Sequence, residues 1–189
     1  MNNFGQKERV AVYIDGSNFY GYLKDQEINF PKGSKFDFKE FVDFLVGDKR
    51  ELVSKRYYTG VFRNLDGSEK SKNLVSGQQK FFTNIQKDGF VIKRGRIMPL
   101  GNLYKEKGTD VKISVDLIIG AVDNLYDTAI LISSDTDLIP AIRYIKYKKK
   151  RVEYVGFAHS PSLGIQKYAD SSMLLSPRDT ERFKERTLL

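Results

Sequence analysis

A short apolar run, Val10-Ala11-Val12-Tyr13-Ile14, ends directly in the turn-forming cluster Asp15-Gly16-Ser17-Asn18. Five apolar residues bounded by turn signals predict a buried strand, and the Asp-Gly-Ser-Asn cluster predicts a turn that opens a helix. The motif returns at Ala129–Ser133, an apolar strand followed by a helix over Leu138–Lys149, and again at Val152–Phe157, followed by a short helix over Ser162–Tyr168 and a strand over Ser172–Leu175. Strands separated by helical segments imply βαβ units, and hence an α/β fold with a mostly parallel sheet and helices on both faces. Such a sheet binds ligands in the crevice beyond its strand carboxyl ends.

The remaining segments fit this plan. Turn-rich sequence lies around Pro31 to Ser34, and Phe38–Val46 places Phe38, Phe41, Val42 and Leu45 on one helical face. Ser54–Phe62 is rich in aromatic and β-branched residues and predicts a strand. Arg63–Asn73 is a polar loop in this reading, Leu74–Lys87 a helix stopped by Asp88-Gly89, and Phe90-Val91-Ile92 the start of a strand. Gly95–Gly108, with Pro, several Gly and many charges, is expected to be irregular. Asp110–Asn124 alternates like a strand at Val111, Ile113, Val115 and Leu117. It also carries the helical stripe Val111, Val115, Ile118, Val122 and Leu125, and its length decides for helix. Residues 1–176 make one domain, and Pro177 opens a charged tail, residues 177–189, read as a surface helix or disordered.

Composition removes whole classes of chemistry. The 189-residue chain has no Cys, which excludes disulfides, thiolate metal sites and cysteine nucleophiles. Its single His159, before Ser160-Pro161, excludes multi-histidine zinc sites and suits an ordinary loop. The longest apolar run, Leu117–Val122, is too short to cross a bilayer, and the first residues lack a signal-peptide apolar region, so a cytoplasmic location is expected. No GxGxxG or GxxxxGK[ST] loop follows the first strand, which argues against dinucleotide or NTP binding. With 32 Lys+Arg against 24 Asp+Glu, the net charge of +8 points to a polyanionic partner. Enzymatic chemistry, if present, then rests on carboxylates and bound metal.

Those carboxylates fall where the fold needs them. Asp15 follows the first strand, and Asp135 and Asp137 follow Ala129–Ser133 in the turn Ser133-Ser134-Asp135-Thr136-Asp137. Asp110 and Asp116 precede that second strand. Clustered carboxylates repel one another unless a cation neutralises them, and hard oxygen-seeking Mg or Mn is the natural partner. Asn18, three residues past Asp15, is placed to orient a phosphate or a water. Each residue also has a purely structural reading: an Asx turn for Asp15, helix caps for Asp110, Asp135 and Asp137, an ion pair with Lys112 for Asp116, and a cap for Asn18.

Ile14-Asp15-Gly16-Ser17-Asn18, Lys107-Gly108-Thr109-Asp110-Val111, Asp116 and Ser133-Ser134-Asp135-Thr136-Asp137 occur in the order typical of the NYN-domain family of PIN-like nucleases, which the chain resembles over roughly Arg9 to Leu175. The resemblance implies a PIN-like three-layer α/β/α sandwich and metal-dependent cleavage of RNA. It implies Asp15, Asp116 and Asp135 as ligands of Mg or Mn, with Asp110 and Asp137 completing or supporting the shell, and Asn18 as the asparagine beside the first acid. The chain departs from the family pattern at Ser134 and Thr136, where glycines are common, and at Thr109, while keeping every acid.

The basic run Lys146-Tyr147-Lys148-Lys149-Lys150-Arg151 sits at the far end of a helix that starts beside Asp135, so it points away from the acids and reads as a solvated helix end. The expected contacts for RNA, best single-stranded, are Arg63, Lys70 and Lys72, with Lys93, Arg94, Arg96, Lys105 and Lys107 as a second group and Tyr104 as a stacking residue. The favoured reading is an Mg- or Mn-dependent ribonuclease with Asp15, Asn18, Asp116 and Asp135 as its catalytic residues. The alternatives are a non-catalytic RNA-binding or regulatory module on the same fold, and a phosphatase acting on small phosphate esters. A homodimer through an exposed helix or the tail is compatible with the sequence.

Overall fold

A computed structural model describes residues 6–25, 36–62, 67–100 and 103–184. The first strand, β1 (Arg9–Asp15), leads into α1 (Gly16–Asp25) and α2 (Phe38–Val46), then β2 (Glu51–Val61), α3 (Glu69–Lys87), β3 (Val91–Leu100) and β4 (Leu103–Lys107). Helix α4 (Thr109–Val122) returns to β5 (Thr128–Ile132). A 3-10 turn (Thr136–Leu138) then opens α5 (Ile139–Tyr147), followed by β6 (Arg151–Phe157), α6 (Leu163–Tyr168), β7 (Ser171–Leu175) and α7 (Pro177–Glu181). The seven strands form one sheet in the order β4-β3-β2-β1-β5-β6-β7, parallel throughout except for the antiparallel β3–β4 pair. Helices flank both faces, giving the PIN-like sandwich.

Alternation along the central strands divides the core in two. Val10, Val12 and Ile14 of β1 face α1, α2 and α3, where Phe19, Phe38 and Phe41 join a buried aromatic group. Ala11 and Tyr13 face the opposite way, against Ile113, Leu117 and Ala121 of α4 and Ala141, Ile142 and Ile145 of α5. Asp15 and Ser133 continue that second register, since side chains alternate with period two. The carboxyl ends of β1 and β5 therefore deliver their polar residues to the side on which α4 begins. β1 and β5 are adjacent strands at which the chain order reverses, so the crevice lies at the switch point of the sheet.

Three expectations change. Gly95–Gly108 is not irregular: it is the outer half of β3 and all of β4, a hairpin at the sheet edge with Arg96 opposite Lys107 and Ile97 opposite Glu106. Proline and charges suit an edge strand, where no further neighbour needs the backbone donors. Helix α3 begins at Glu69 rather than Leu74, because the Ser68 side chain accepts from the Ser71 N–H and caps it. Over residues 177–184 the segment after Pro177 docks on the domain rather than lying apart as a tail: Thr180 and Phe183 are fully buried, Phe183 lies against Phe36, Phe41 and Phe44, and its carbonyl accepts from the Asp37 N–H at 2.7 Å. The turn-rich stretch around Pro31 lies outside the described residues. Among the described residues no helix is long and apolar enough to cross a membrane.

Candidate metal centre

Asp15 closes β1, and Gly16 begins α1 without a gap. A side chain at position 16 would meet the buried Tyr57 ring at 2.4 Å, so glycine allows the helix to start directly over β2. The Asp15 carboxylate is 5% exposed and held on three sides. Its Oδ2 accepts from the Asn18 amide at 2.6 Å and from the Ser133 hydroxyl at 3.0 Å, and its Oδ1 accepts from the Asn18 N–H at 3.2 Å. Burial pushes the carboxyl above its ordinary range against these hydrogen bonds, and the charge of Glu106 adds to the rise. Asn18 is itself fixed at its other end, its Oδ1 accepting from the Ser134 hydroxyl at 2.7 Å. The structure thus turns Asn18 onto Asp15, and Ser134 serves as the outer clamp of that pair.

Across the crevice, Asp110 lies in the first turn of α4, while Asp135 and Asp137 belong to the 3-10 turn after β5. Carboxylate oxygens from Asp110, Asp135 and Asp137 all lie within 4.8 Å of one another. Asp135 caps its turn by accepting from the Asp137 N–H at 2.9 Å. The Ser133 hydroxyl that donates to Asp15 accepts from the Asp135 N–H at 3.2 Å, so one serine joins the β1 acid to the β5 acids. None of the three clustered acids pairs with a Lys or Arg among the described residues. An all-carboxylate set without a basic partner fits a hard divalent cation such as Mg or Mn, and offers neither the thiolate nor the imidazole that softer metals prefer.

Asp116 is not brought into this group. It lies six residues beyond Asp110 on α4, about 9 Å along the helix axis, and side chains from the sheet claim it. Tyr58 donates to its Oδ2 at 2.8 Å, and Arg56 and Lys93 each approach at 3.1 Å. Burial opposes its ionisation, but the Tyr58 and Lys93 hydrogen bonds and the Arg56 charge outweigh burial and hold the carboxyl below its ordinary range. Burial in turn pushes the Tyr58 phenol far up, so it stays a neutral donor. The ion pair expected with Lys112 is replaced by these two longer-range ones.

Glu106 went unrecognised in the sequence, hidden among the charges of the hairpin. Its carboxylate accepts from the Ser17 hydroxyl of α1 and the Thr109 hydroxyl of α4, tying together the first turns of the two helices that carry Asn18 and Asp110. Gly60 of β2 leaves it room, since a Cβ there would lie 3.1 Å from the Glu106 carboxyl carbon. Only its place two residues before Gly108, at the mouth of α4, marked it in the sequence.

The basic candidates scatter. Lys93 is occupied by Asp116, Lys72 pairs with Glu69 at 2.9 Å, and Lys70 is exposed on the first turn of α3. The Arg94 guanidinium lies over the Phe82 ring at 5.5 Å. Arg96 and Lys107 are both exposed and face each other across β3–β4, three residues before Asp110 in the case of Lys107. Like charges directly opposite on a hairpin cost stability. Arg63 and the Tyr104 side chain lie outside the described residues.

A family model described as the NYN domain matches residues 9–175. No curated protein matches the chain. Among solved structures, the chain is similar to the crystal structure of a protein of unknown function from Vibrio parahaemolyticus, at 23% sequence identity and a TM-score of 0.68, covering 90% of this chain and 94% of that one. At that identity the likeness extends to the fold.

Proposed function

The chain belongs to the NYN domain family of PIN-like nucleases, and from that premise we propose that it is a divalent-metal-dependent ribonuclease hydrolysing single-stranded RNA in the cytoplasm. The observation that carries this reading is the convergence of Asp110, Asp135 and Asp137 within 4.8 Å at the switch point of the sheet, with no ion pair to a basic side chain among the described residues.

In this reading Asp110, Asp135 and Asp137 hold Mg or Mn, which supplies charge stabilisation for a phosphodiester and a lowered pKa for water. Asp15 stands one serine hydroxyl away, and its Oδ1 carries one hydrogen bond against two on Oδ2. Oδ1 is therefore the oxygen that takes the proton as water adds to phosphorus and the P–O bond to the leaving oxygen breaks. The leaving oxygen then takes up a proton from solvent. Asn18 and Ser134 keep Asp15 aimed, which makes Asn18 a positioning residue. Asp116 holds Arg56 and Lys93 in place rather than a metal. Arg96 and Lys107 grip a flanking phosphate, and the cost of their juxtaposition is relieved when an anion lies between them.

Cleavage of an unstructured RNA with Mg or Mn tests the reading. Asp110→Asn, Asp135→Asn and Asp137→Asn are each expected to lower kcat/KM by about a hundredfold or more. Cleavage that persists in EDTA, or in the Asp110→Asn/Asp135→Asn double variant, would overturn it. Salt-sensitive RNA binding without turnover in the wild type would favour the non-catalytic module instead.

A further inference from the structure

Helix α4 carries more apolar surface than its own domain covers. Ile113, Leu117 and Ala121 are buried against the sheet, yet Val111, Val115, Ile119 and Val122 remain 60%, 45%, 47% and 53% exposed. Leu125, just past the helix, is 48% exposed. Steps of four, four and three residues align the four helical side chains along one side of the helix, with Leu125 just beyond its end. Together they offer on the order of 400 Å² of apolar surface, the size of the largest apolar patch on a typical monomer, and such patches are often functional. Three of the five are valines, whose stiff side chains lose little freedom when covered.

The charges beside this seam identify its occupant. Lys112 and Asp123 are exposed, and neither forms an ion pair among the described residues. Laid antiparallel against a second copy and centred near Leu117, the seam maps onto itself. Val111 falls opposite Val122, Val115 opposite Ile119, and Lys112 opposite Asp123, each pairing occurring twice about a two-fold axis. A surface that complements itself in both apolar pattern and charge is what an isologous dimer requires. Asp116, on the same helix, is already claimed by Arg56 and Lys93 from the sheet side and takes no part.

We propose that α4 is the surface through which two copies of this chain associate, antiparallel about a two-fold axis. Asp110 lies in the first turn of the same helix, so the two acidic crevices sit at opposite ends of the paired helices and both stay open.

Sedimentation equilibrium of the full chain, without metal or RNA, tests this independently of any nuclease activity. The wild type is expected to be a dimer at micromolar concentration, and Val115→Glu/Ile119→Glu a monomer with an unchanged circular dichroism spectrum. Should that variant fail to fold, the surface charges still decide. Lys112→Asp and Asp123→Lys are each expected to weaken the dimer roughly tenfold, and Lys112→Asp/Asp123→Lys to restore it. A wild type that stays monomeric, a folded Val115→Glu/Ile119→Glu dimer, or a charge swap that fails to restore association would overturn the proposal.

Discussion

Asp15 and Asp116 are two aspartates of one α/β domain, and their surroundings drive their ionisation in opposite directions. Asp15 is buried among neutral donors with Glu106 nearby, so its carboxyl rises, whereas Asp116 sits between Arg56 and Lys93 and falls. A raised folded-state pKa adds stability below the unfolded value of about 4, and that contribution is lost as pH climbs through the folded value. Urea melts of metal-free protein should therefore find wild type losing ground to Asp15→Asn as pH rises above about 4, and a difference independent of pH would contradict the burial argument. Asp116 has the opposite sign: its contribution is present above the unfolded value and disappears as pH falls below it. Asp116→Asn leaves two cations facing each other and should cost about 2 kcal/mol at pH 7. If the residue serves the scaffold, RNA cleavage per folded molecule should fall far less than in Asp135→Asn.

At the scale of elements, legibility followed locality. β1 and β5 were readable because a parallel central strand is a plain apolar run, and their carboxyl-end acids follow within five residues. Asp15 and the Asp135/Asp137 pair were thus placed on one edge from sequence alone. The β3–β4 hairpin was not readable, because glycine, proline and charge describe an edge strand as well as a loop. The role of Asp116 was hidden for another reason: its partners Arg56 and Lys93 come from two other strands, 60 and 23 positions away, and no local pattern encodes such pairs. Phe183 is the sharpest case. It is a lone aromatic in a charged segment, yet it fills the gap between α2 and Phe36 with no exposed surface. Phe183→Ala should lower stability by about 3–4 kcal/mol, read as an earlier midpoint in denaturant melts. A change below about 1 kcal/mol would mean that the segment is not docked.

Across the whole molecule, the +8 charge and the acidic crevice answer different questions. The excess of positive charge suits an anionic polymer, but many of the basic side chains already serve the fold: Arg9 pairs with Asp127, Arg50 with Glu153, Lys146 with Asp170, and Arg56 and Lys93 with Asp116. Among the described residues the acids Asp110, Asp135 and Asp137 have no such partner, and that asymmetry separates a site from a surface. Calorimetric titration of metal-free protein with Mn2+ addresses this directly. Wild type should bind with a submillimolar Kd, and Asp110→Asn/Asp135→Asn should bind at least about tenfold more weakly while keeping its fold. Equal affinity in the folded double variant, or no binding by the wild type at millimolar Mn2+, would contradict the assignment of these three aspartates as the metal centre.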